Sequence, residues 1–209
     1  MNRIVCALFL ALASAALPCH ADDAGSFLVA REDLPDPNFG HAVVLVMPPD
    51  GPGVLGIIVN RPTRIPLSKL FPSEPKLAKL DDRVFFGGPV SPQTVSFVFR
   101  ADKPPEDATE VMAGVFISSD SDLLRELFAR EKPTEGLRVF VGYAGWAPGQ
   151  LEGEVARGDW HRVDADARSL FDRRPESLWY DLDIKASATK ASFRPLPSSP
   201  RSPAIQSIQ

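Results

Sequence analysis

One glycine-rich stretch constrains this chain more than any other feature of its sequence. From Gly142 to Glu154 it reads Gly-Tyr-Ala-Gly-Trp-Ala-Pro-Gly-Gln-Leu-Glu-Gly-Glu, so four glycines and one proline surround two aromatic residues. Glycine lacks a Cβ atom, which lets its backbone approach another segment closely. We therefore expect a loop after the apolar strand at 137–141, lying against a neighbouring surface, with Gly145 at a positive φ.

The first residues have the pattern of an export signal. Arg3 supplies a positive charge, residues 4–17 are almost wholly apolar, and Cys19 and Ala21 place small side chains at the positions that a signal peptidase reads. We therefore expect 1–21 to be a signal peptide, cleaved before Asp22, and the mature protein to be periplasmic or secreted. The alternative of a membrane anchor is weaker, because the apolar run is short for a bilayer and no stop-transfer sequence follows it.

Both cysteines of the chain, Cys6 and Cys19, lie inside this segment. The mature protein would then hold no thiol, which excludes an internal disulfide, a thiolate metal site and a cysteine nucleophile. The full chain is mildly acidic, with 27 acidic against 23 basic residues and an isoelectric point near 5.4. This balance gives no general attraction to nucleic acid or anionic lipid. We expect no direct nucleic-acid contact and no membrane span after cleavage.

The remaining sequence divides into a domain and a tail. Residues 22–185 are enough for one hydrophobic core, so we expect a single domain. Residues 186–209 are rich in serine and proline and contain three basic residues but no acidic one. That composition buries little apolar surface and is typical of a disordered tail.

The order of the predicted elements indicates the fold class. Strands are predicted at 26–31, 41–47, 54–60, 84–86, 94–100, 115–117, 137–141 and 160–163. Helices are predicted after the caps Ser119 and Asp164, at 150–157 before Gly158, and at 176–182 after Pro175. Because strands come early without regular alternation with helices, we expect an α+β fold with a curved, largely antiparallel sheet. Residues 61–66 are predicted to be irregular.

Two other glycine motifs resemble phosphate-binding loops but favour turns. The segment 51–56 matches G-x-G-x-x-G, yet a strand follows it where dinucleotide binding requires a helix, so a hairpin between two strands explains it better. Gly87-Gly88-Pro89 could form an anion-binding nest. It lacks a following lysine, and Pro89 and Pro92 have no N–H group, so a tight turn is the stronger interpretation.

No set of residues in the sequence predicts catalysis or metal binding. Glu152 and Glu154 are two positions apart on a helix and point to separate sides, so we expect both carboxylates to be solvated. His41 and His161 are isolated and belong to no zinc motif, and a serine-hydrolase elbow is absent from the sequence. We therefore predict no catalytic residues, no metal ligands and no cofactor, and the sequence favours a protein without enzymatic activity.

The predicted binding residues are polar, aromatic or glycine residues at the ends of strands. Tyr143 and Trp146 combine large apolar rings with a polar tip, which suits a partner surface, although Trp146 could equally fold back onto the core. The other candidates are Asn60, Gly87, Gly88, Gln150 and Glu152. The partner is predicted to be a protein or a small molecule, without further identity.

Taken together, the ordered motifs resemble the YqgE/AlgH family of small bacterial proteins. The matching segments are Phe27-Leu28-Val29-Ala30, Asp36-Pro37-Asn38-Phe39, Val43-Val44, Gly56-Ile57-Ile58-Val59-Asn60-Arg61-Pro62, Gly87-Gly88-Pro89-Val90, Gly142-Tyr143-Ala144-Gly145-Trp146 and Gly149-Gln150-Leu151-Glu152. They span about residues 26–182. The resemblance implies an α+β fold with a bifurcated, partly barrel-like sheet surrounded by helices. It implies no reaction, although one branch carries the label of a transcriptional regulator of alginate synthesis.

The chain also departs from that family. Most members look cytoplasmic, whereas this chain has an export pattern, and Pro48-Pro49 replaces a Glu-His pair that members often carry. Three hypotheses follow. The first is an exported, non-enzymatic binding module, and the second is a cytoplasmic regulator of the AlgH type. The third is an unrecognised hydrolase that would draw its catalytic group from Glu152, Asp36 or a histidine.

Overall fold

A computed structural model describes residues 25–49 and 51–192, which form ten strands, five α-helices and one short 3-10 helix. The strands are β1 Ser26–Ala30, β2 Val43–Val46, β3 Val54–Ile58, β4 Pro62–Pro66, β5 Arg83–Phe86, β6 Val90–Arg100, β7 Thr109–Met112, β8 Val115–Ser118, β9 Leu137–Trp146 and β10 Trp160–Asp164. The helices are α1 Leu67–Leu70, α2 Ser121–Ala129, α3 Gln150–Arg157, α4 Ala167–Phe171 and α5 Pro175–Ser192, with the 3-10 helix at Pro75–Lys79. The expected signal peptide at 1–21 lies outside the described residues, as do 193–209 of the expected tail.

The strands form one sheet that divides at β9. Its order is β10-β1-β2-β3-β9-β6-β8-β7, while β5 pairs with both β4 and β9. The last residues of β9 pair with β3, as Val54 does with Trp146, whereas its first residues pair with β6, as Phe99 does with Leu137. All pairings are antiparallel except the parallel contact between β5 and β9. The result is the curled, largely antiparallel half-barrel of an α+β protein that the sequence predicted.

Apolar side chains pack on both faces of this sheet. On the inner face, Phe27, Leu45 and Ile57 are fully buried in a cluster that also holds Trp179 and Leu182 of α5. The opposite face of β1 to β3 is covered by α3 and the tryptophans, and β6 with β8 is covered by α2. Among the helices in the described part of the chain, none is both long and apolar enough to cross a membrane.

The division of the sheet depends on a close approach of two backbones, which we call the glycine crossing: Gly87-Gly88 against Gly142-Tyr143. A Cβ atom added to Gly87 would lie 2.3 Å from the Gly142 carbonyl oxygen, and one on Gly88 would lie 2.2 Å from the Tyr143 carbonyl. The Gly87 N–H donates to the Val141 carbonyl at 2.8 Å, and its own carbonyl accepts from Ile58 N–H at 2.8 Å. Gly87 therefore joins β9 to β3, and only glycine fits there.

The structure corrects the prediction made from the glycine-rich stretch. Residues 142–146 are not a loop, because β9 continues through Trp146 and pairs with both neighbouring strands. The positive φ lies at Gly142, at 71°, and Gly145 has none. The signals of a turn are therefore overridden here by hydrogen bonds between strands that are distant in sequence.

Several element boundaries also differ from those predicted. Residues 62–66 form β4, where irregular structure was expected, because they pair with β5. Asp120 caps α2 in place of Ser119, and Asp166 caps α4 in place of Asp164, since these carboxylates accept the helix N–H bonds. Helix α5 runs to Ser192, so the segment 186–192 that was assigned to the tail is helical. The hairpin of β2 with β3 and the helix α3 before Gly158 are as predicted.

We expect Gly87→Ala to lower the free energy of unfolding by about 2 kcal/mol or more, because the added methyl group overlaps backbone that cannot move independently. Gly145→Ala is the matched control. Its Cβ would lie 3.6 Å from Leu55 Cδ2, an ordinary contact, so its effect should stay within about 0.5 kcal/mol. Urea unfolding of the two variants measures both values. Equal stabilities would contradict the glycine crossing.

Candidate functional site

A large concave site lies where the sheet divides, and we call it the fork cleft. It encloses about 650 Å³, a size typical of ligand sites. Its floor is apolar and comes from both halves of the sheet. The floor residues are Met47, Leu55 and Ile57 from the β2–β3 side and Ile117 from β8. Curvature of the sheet thus leaves an apolar hollow open to solvent.

Tyr143 enters the fork cleft immediately after the glycine crossing. Side chains alternate along a strand, so Tyr143 and Gly145 share one face of β9. Leu55 stands on the same face, because it pairs directly with Gly145. Tyr143 is half-buried, and no described residue hydrogen-bonds to its hydroxyl group. The hydroxyl groups of Thr94, Ser96, Thr109 and Ser119 line the same cleft.

The rim of the fork cleft carries three carboxylates, those of Glu106, Asp107 and Asp120. Ser118 joins the backbone of Asp107 to that of Asp120, since its hydroxyl donates to the Asp107 carbonyl at 2.5 Å and accepts from Asp120 N–H at 3.0 Å. Asp120 Oδ1 also accepts the N–H groups of Asp122 and Leu123, at 2.9 and 2.7 Å. The rim is therefore held in place by hydrogen bonds that reach from the turn before β7 to α2.

Trp146 points to the opposite face of β9 and belongs to a second site, which we call the tryptophan cluster: Phe39, Trp146, Trp160, Gln150 and Glu154. It borders a hollow of about 400 Å³. Both indole N–H groups donate to Glu154 Oε2 at 2.8 Å. Gln150 Nε2 donates to Glu154 Oε1 at 2.9 Å, and Gln150 Oε1 accepts from Ala147 N–H at 3.0 Å.

The tryptophan cluster is packed as a core. Trp146 and Trp160 are only 6% and 3% exposed, their ring centres are 6.0 Å apart, and the ring of Phe39 packs against both, at 6.2 and 5.6 Å. Trp146 therefore folds back onto the core, the alternative to its presenting a partner surface. We expected Glu154 to be solvated, but its carboxylate accepts the hydrogen bonds of both buried indole N–H groups.

Asn60 connects β2 to the turn that precedes it. Its side-chain oxygen accepts from Val43 N–H and its amide donates to the His41 carbonyl, both at 2.9 Å. The adjacent Arg61 donates to the carbonyls of Asn38 and Gly40. Burial lowers the pKa of Arg61, and the charge of Asp36 partly opposes that shift. These two residues therefore hold the turn between Asn38 and Val43 against the sheet.

The structure thus separates the seven predicted binding residues. Tyr143 lines the fork cleft, and Gly87 and Gly88 support it through the glycine crossing. Trp146 and Gln150 lie in the tryptophan cluster on the other face, Asn60 holds the turn, and Glu152 is exposed on α3. Sequence reasoning missed the cleft's apolar floor and its acidic rim, because distant strands bring these together. No group of three or more His, Cys, Asp or Glu side chains in the described residues is placed to hold a metal ion.

Comparison with known proteins identifies the family of this fold. The family model described as AlgH-like (DUF179) matches residues 27–186, three quarters of the chain. The chain belongs to the YqgE/AlgH family. Its relatives include a UPF0301 protein of Methylococcus capsulatus, 37% identical over 164 residues, which cover 77% of this chain and 89% of the relative. A UPF0301 protein of Myxococcus xanthus is 35% identical over 159 residues, covering 75% and 86%.

Solved structures of two similar proteins share the architecture. The solution structure of the AlgH protein from Pseudomonas aeruginosa superimposes with a TM-score of 0.62 at 25% identity, covering 84% of this chain and 95% of that protein. A crystal structure of a Corynebacterium diphtheriae protein gives a TM-score of 0.65 at 22% identity, covering 81% and 90%. The half-barrel is therefore a property of the YqgE/AlgH fold, and the names of these relatives state no reaction.

We expect Glu154→Ala to lower the free energy of unfolding by about 2 kcal/mol or more, because it leaves two buried indole N–H groups without an acceptor. Glu152→Ala, on the same helix, is the matched control and should change stability by no more than about 0.5 kcal/mol. Urea unfolding followed by tryptophan fluorescence measures both. A similar small loss in both variants would show that the indoles do not depend on Glu154.

Proposed function

We propose that this YqgE/AlgH-family member is a non-enzymatic binding module that works after export and receives its ligand in the fork cleft. One observation carries the proposal. The cleft combines an apolar floor with hydroxyl groups and carboxylates, and the Tyr143 hydroxyl has no hydrogen-bond partner among the described residues. An apolar hollow with a few polar groups around it is the usual form of a ligand site.

The polar groups of the fork cleft favour binding over catalysis. The lining contains the hydroxyl groups of Ser, Thr and Tyr residues and three carboxylates, but no histidine, lysine or cysteine among the described residues. A serine or threonine nucleophile needs a base within hydrogen-bond reach. One rim carboxylate, Asp120, already caps α2. The lining therefore offers hydrogen bonds and negative charge to a ligand, without an activated nucleophile.

The fork cleft is a better ligand site than the tryptophan cluster. In the cluster, Trp146, Trp160 and Gln150 direct their donors to Glu154, so the polar groups satisfy one another. A ligand there would have to displace these bonds, which stabilise buried groups. In the fork cleft the Tyr143 hydroxyl is open to a new partner.

We expect the ligand site to be found by screening small neutral fragments against the ¹⁵N-labelled protein by NMR. Perturbed amides should cluster at Leu55, Ser96, Ile117 and Tyr143, because these residues line the cleft. Tyr143→Ala should abolish the perturbations, while Glu152→Ala, which lies on exposed helix surface, should preserve them. Fragments that perturb only the tryptophan cluster, or no site, would rule out the fork cleft as the binding site.

Export is supported by the charged start, the apolar run and the small residues at Cys19 and Ala21. We expect protein recovered from its producing cells to begin at Asp22 and to contain no thiol. N-terminal sequencing and intact mass after fractionation measure this. Full-length protein in the cytosol would instead favour the cytoplasmic regulator.

A further inference from the structure

We propose that the fork cleft binds an extended peptide segment of a partner protein, rich in basic and apolar side chains, which pairs with the edge of β7. The inference rests on the proposed function, since it names the ligand of the same cleft. Charge, shape and an open strand edge each support it.

The first argument is charge. Glu106 and Asp107 stand on the rim, and neither carboxylate forms an ion pair with any residue in 25–49 or 51–192. The described lining contains no lysine, arginine or histidine to balance them or Asp120. A cleft lined by one sign of charge attracts ligands of the opposite sign and disfavours acidic ones.

The cation has to be part of a larger ligand. The described acidic side chains, those of the rim included, do not come together as a metal site. Beneath the rim, Leu55 and Ile117 present an apolar surface that a hydrated ion would leave unused. A ligand that carries a cationic side chain beside an apolar one can place the charge at the rim and the apolar group on the floor. This pattern indicates an amphipathic cationic ligand.

The shape of the site indicates an elongated ligand. A second hollow of about 430 Å³ adjoins the fork cleft. The two share four lining residues, which are Met47, Leu55, Thr109 and Ile117. They therefore form one groove that extends past Pro48 and Pro49. An extended chain fits such a groove along its length.

The third argument is the edge of β7. This strand pairs only with β8 among the described strands and ends the sheet. Gly25 lies against Val111 near the end of β7, which leaves the beginning of the strand, at Thr109, beside the groove. An edge strand has backbone N–H and C=O groups available to an added strand. On the opposite wall, Pro48 and Pro49 have no N–H to donate, so β7 is the pairing edge.

The test measures fluorescence anisotropy of a labelled heptapeptide of alternating arginine and valine, titrated with the full chain. In an extended peptide every second side chain faces the same way, so the valines can meet the floor together. One comparison peptide replaces arginine by glutamate, and another replaces valine by serine. A third keeps the sequence but carries N-methyl groups on alternate amides, which removes donors for strand pairing.

We expect the arginine–valine peptide to bind at least about tenfold more tightly than each comparison peptide, and to weaken as ionic strength rises. The double variant E106Q/D107N should weaken binding about fivefold or more, while E152Q, an exposed acid outside the cleft, should leave it unchanged. All these side chains are exposed, so the variants should remain folded, and measurement of their thermal midpoints checks this.

Other results would overturn the inference in distinguishable ways. Equal binding of the arginine and glutamate peptides, with fragments still perturbing the cleft, would leave the proposed function standing but remove its charge selectivity. Full binding of the N-methylated peptide would remove the pairing with β7. A chain that ends at Ser192 is titrated in parallel. Peptide binding that appears only in this shortened chain would show that the chain's own C-terminal segment fills the cleft, in place of a partner.

Discussion

The structure depends on the approach of two backbones at the glycine crossing. There Gly87 and Gly88 lie so close to Gly142 and Tyr143 that no side chain would fit between them. The contact allows Gly87 to hydrogen-bond to β9 and to β3 at once, which ties the two halves of the sheet together at the point where they separate. The fork cleft opens directly beside this contact, since Gly142 and Tyr143 line it.

Just after the crossing, the two faces of β9 lie in different surroundings. Tyr143 faces the fork cleft, among hydroxyl groups and an acidic rim, and its hydroxyl is available to a ligand. Trp146 faces α3, where Glu154 accepts its N–H together with that of Trp160. Residues that are neighbours in one motif therefore serve separate purposes. One face stabilises the fold, and the other is the candidate for recognition.

Local signals explain which parts of this structure could be predicted from the sequence. Helix α3 was predictable because Gly158 ends it in a left-handed conformation, and the β2–β3 hairpin because turn residues separate two apolar runs. Residues 142–146 were predicted as a loop because the stretch 142–154 contains four glycines, which are typical of loops. The local sequence gives no sign of the distant strands that stabilise a strand there. Nothing in the local sequence marks the rim acids Glu106 and Asp107 as site residues, because the pairing of β7 with β8 brings them to the cleft.

Hydrogen–deuterium exchange of the full chain, with and without the arginine–valine peptide, tests the central claim that the fork cleft is a preformed recognition site. Bound peptide should slow amide exchange in Thr109–Met112 and in the segments around Ser96 and Tyr143, while α3 and β10 keep their rates. The glycine crossing should be protected in both states, because Ile58 and Gly87 donate to backbone carbonyls there. Slowed exchange confined to the tryptophan cluster, or a crossing that is unprotected before binding, would contradict the account.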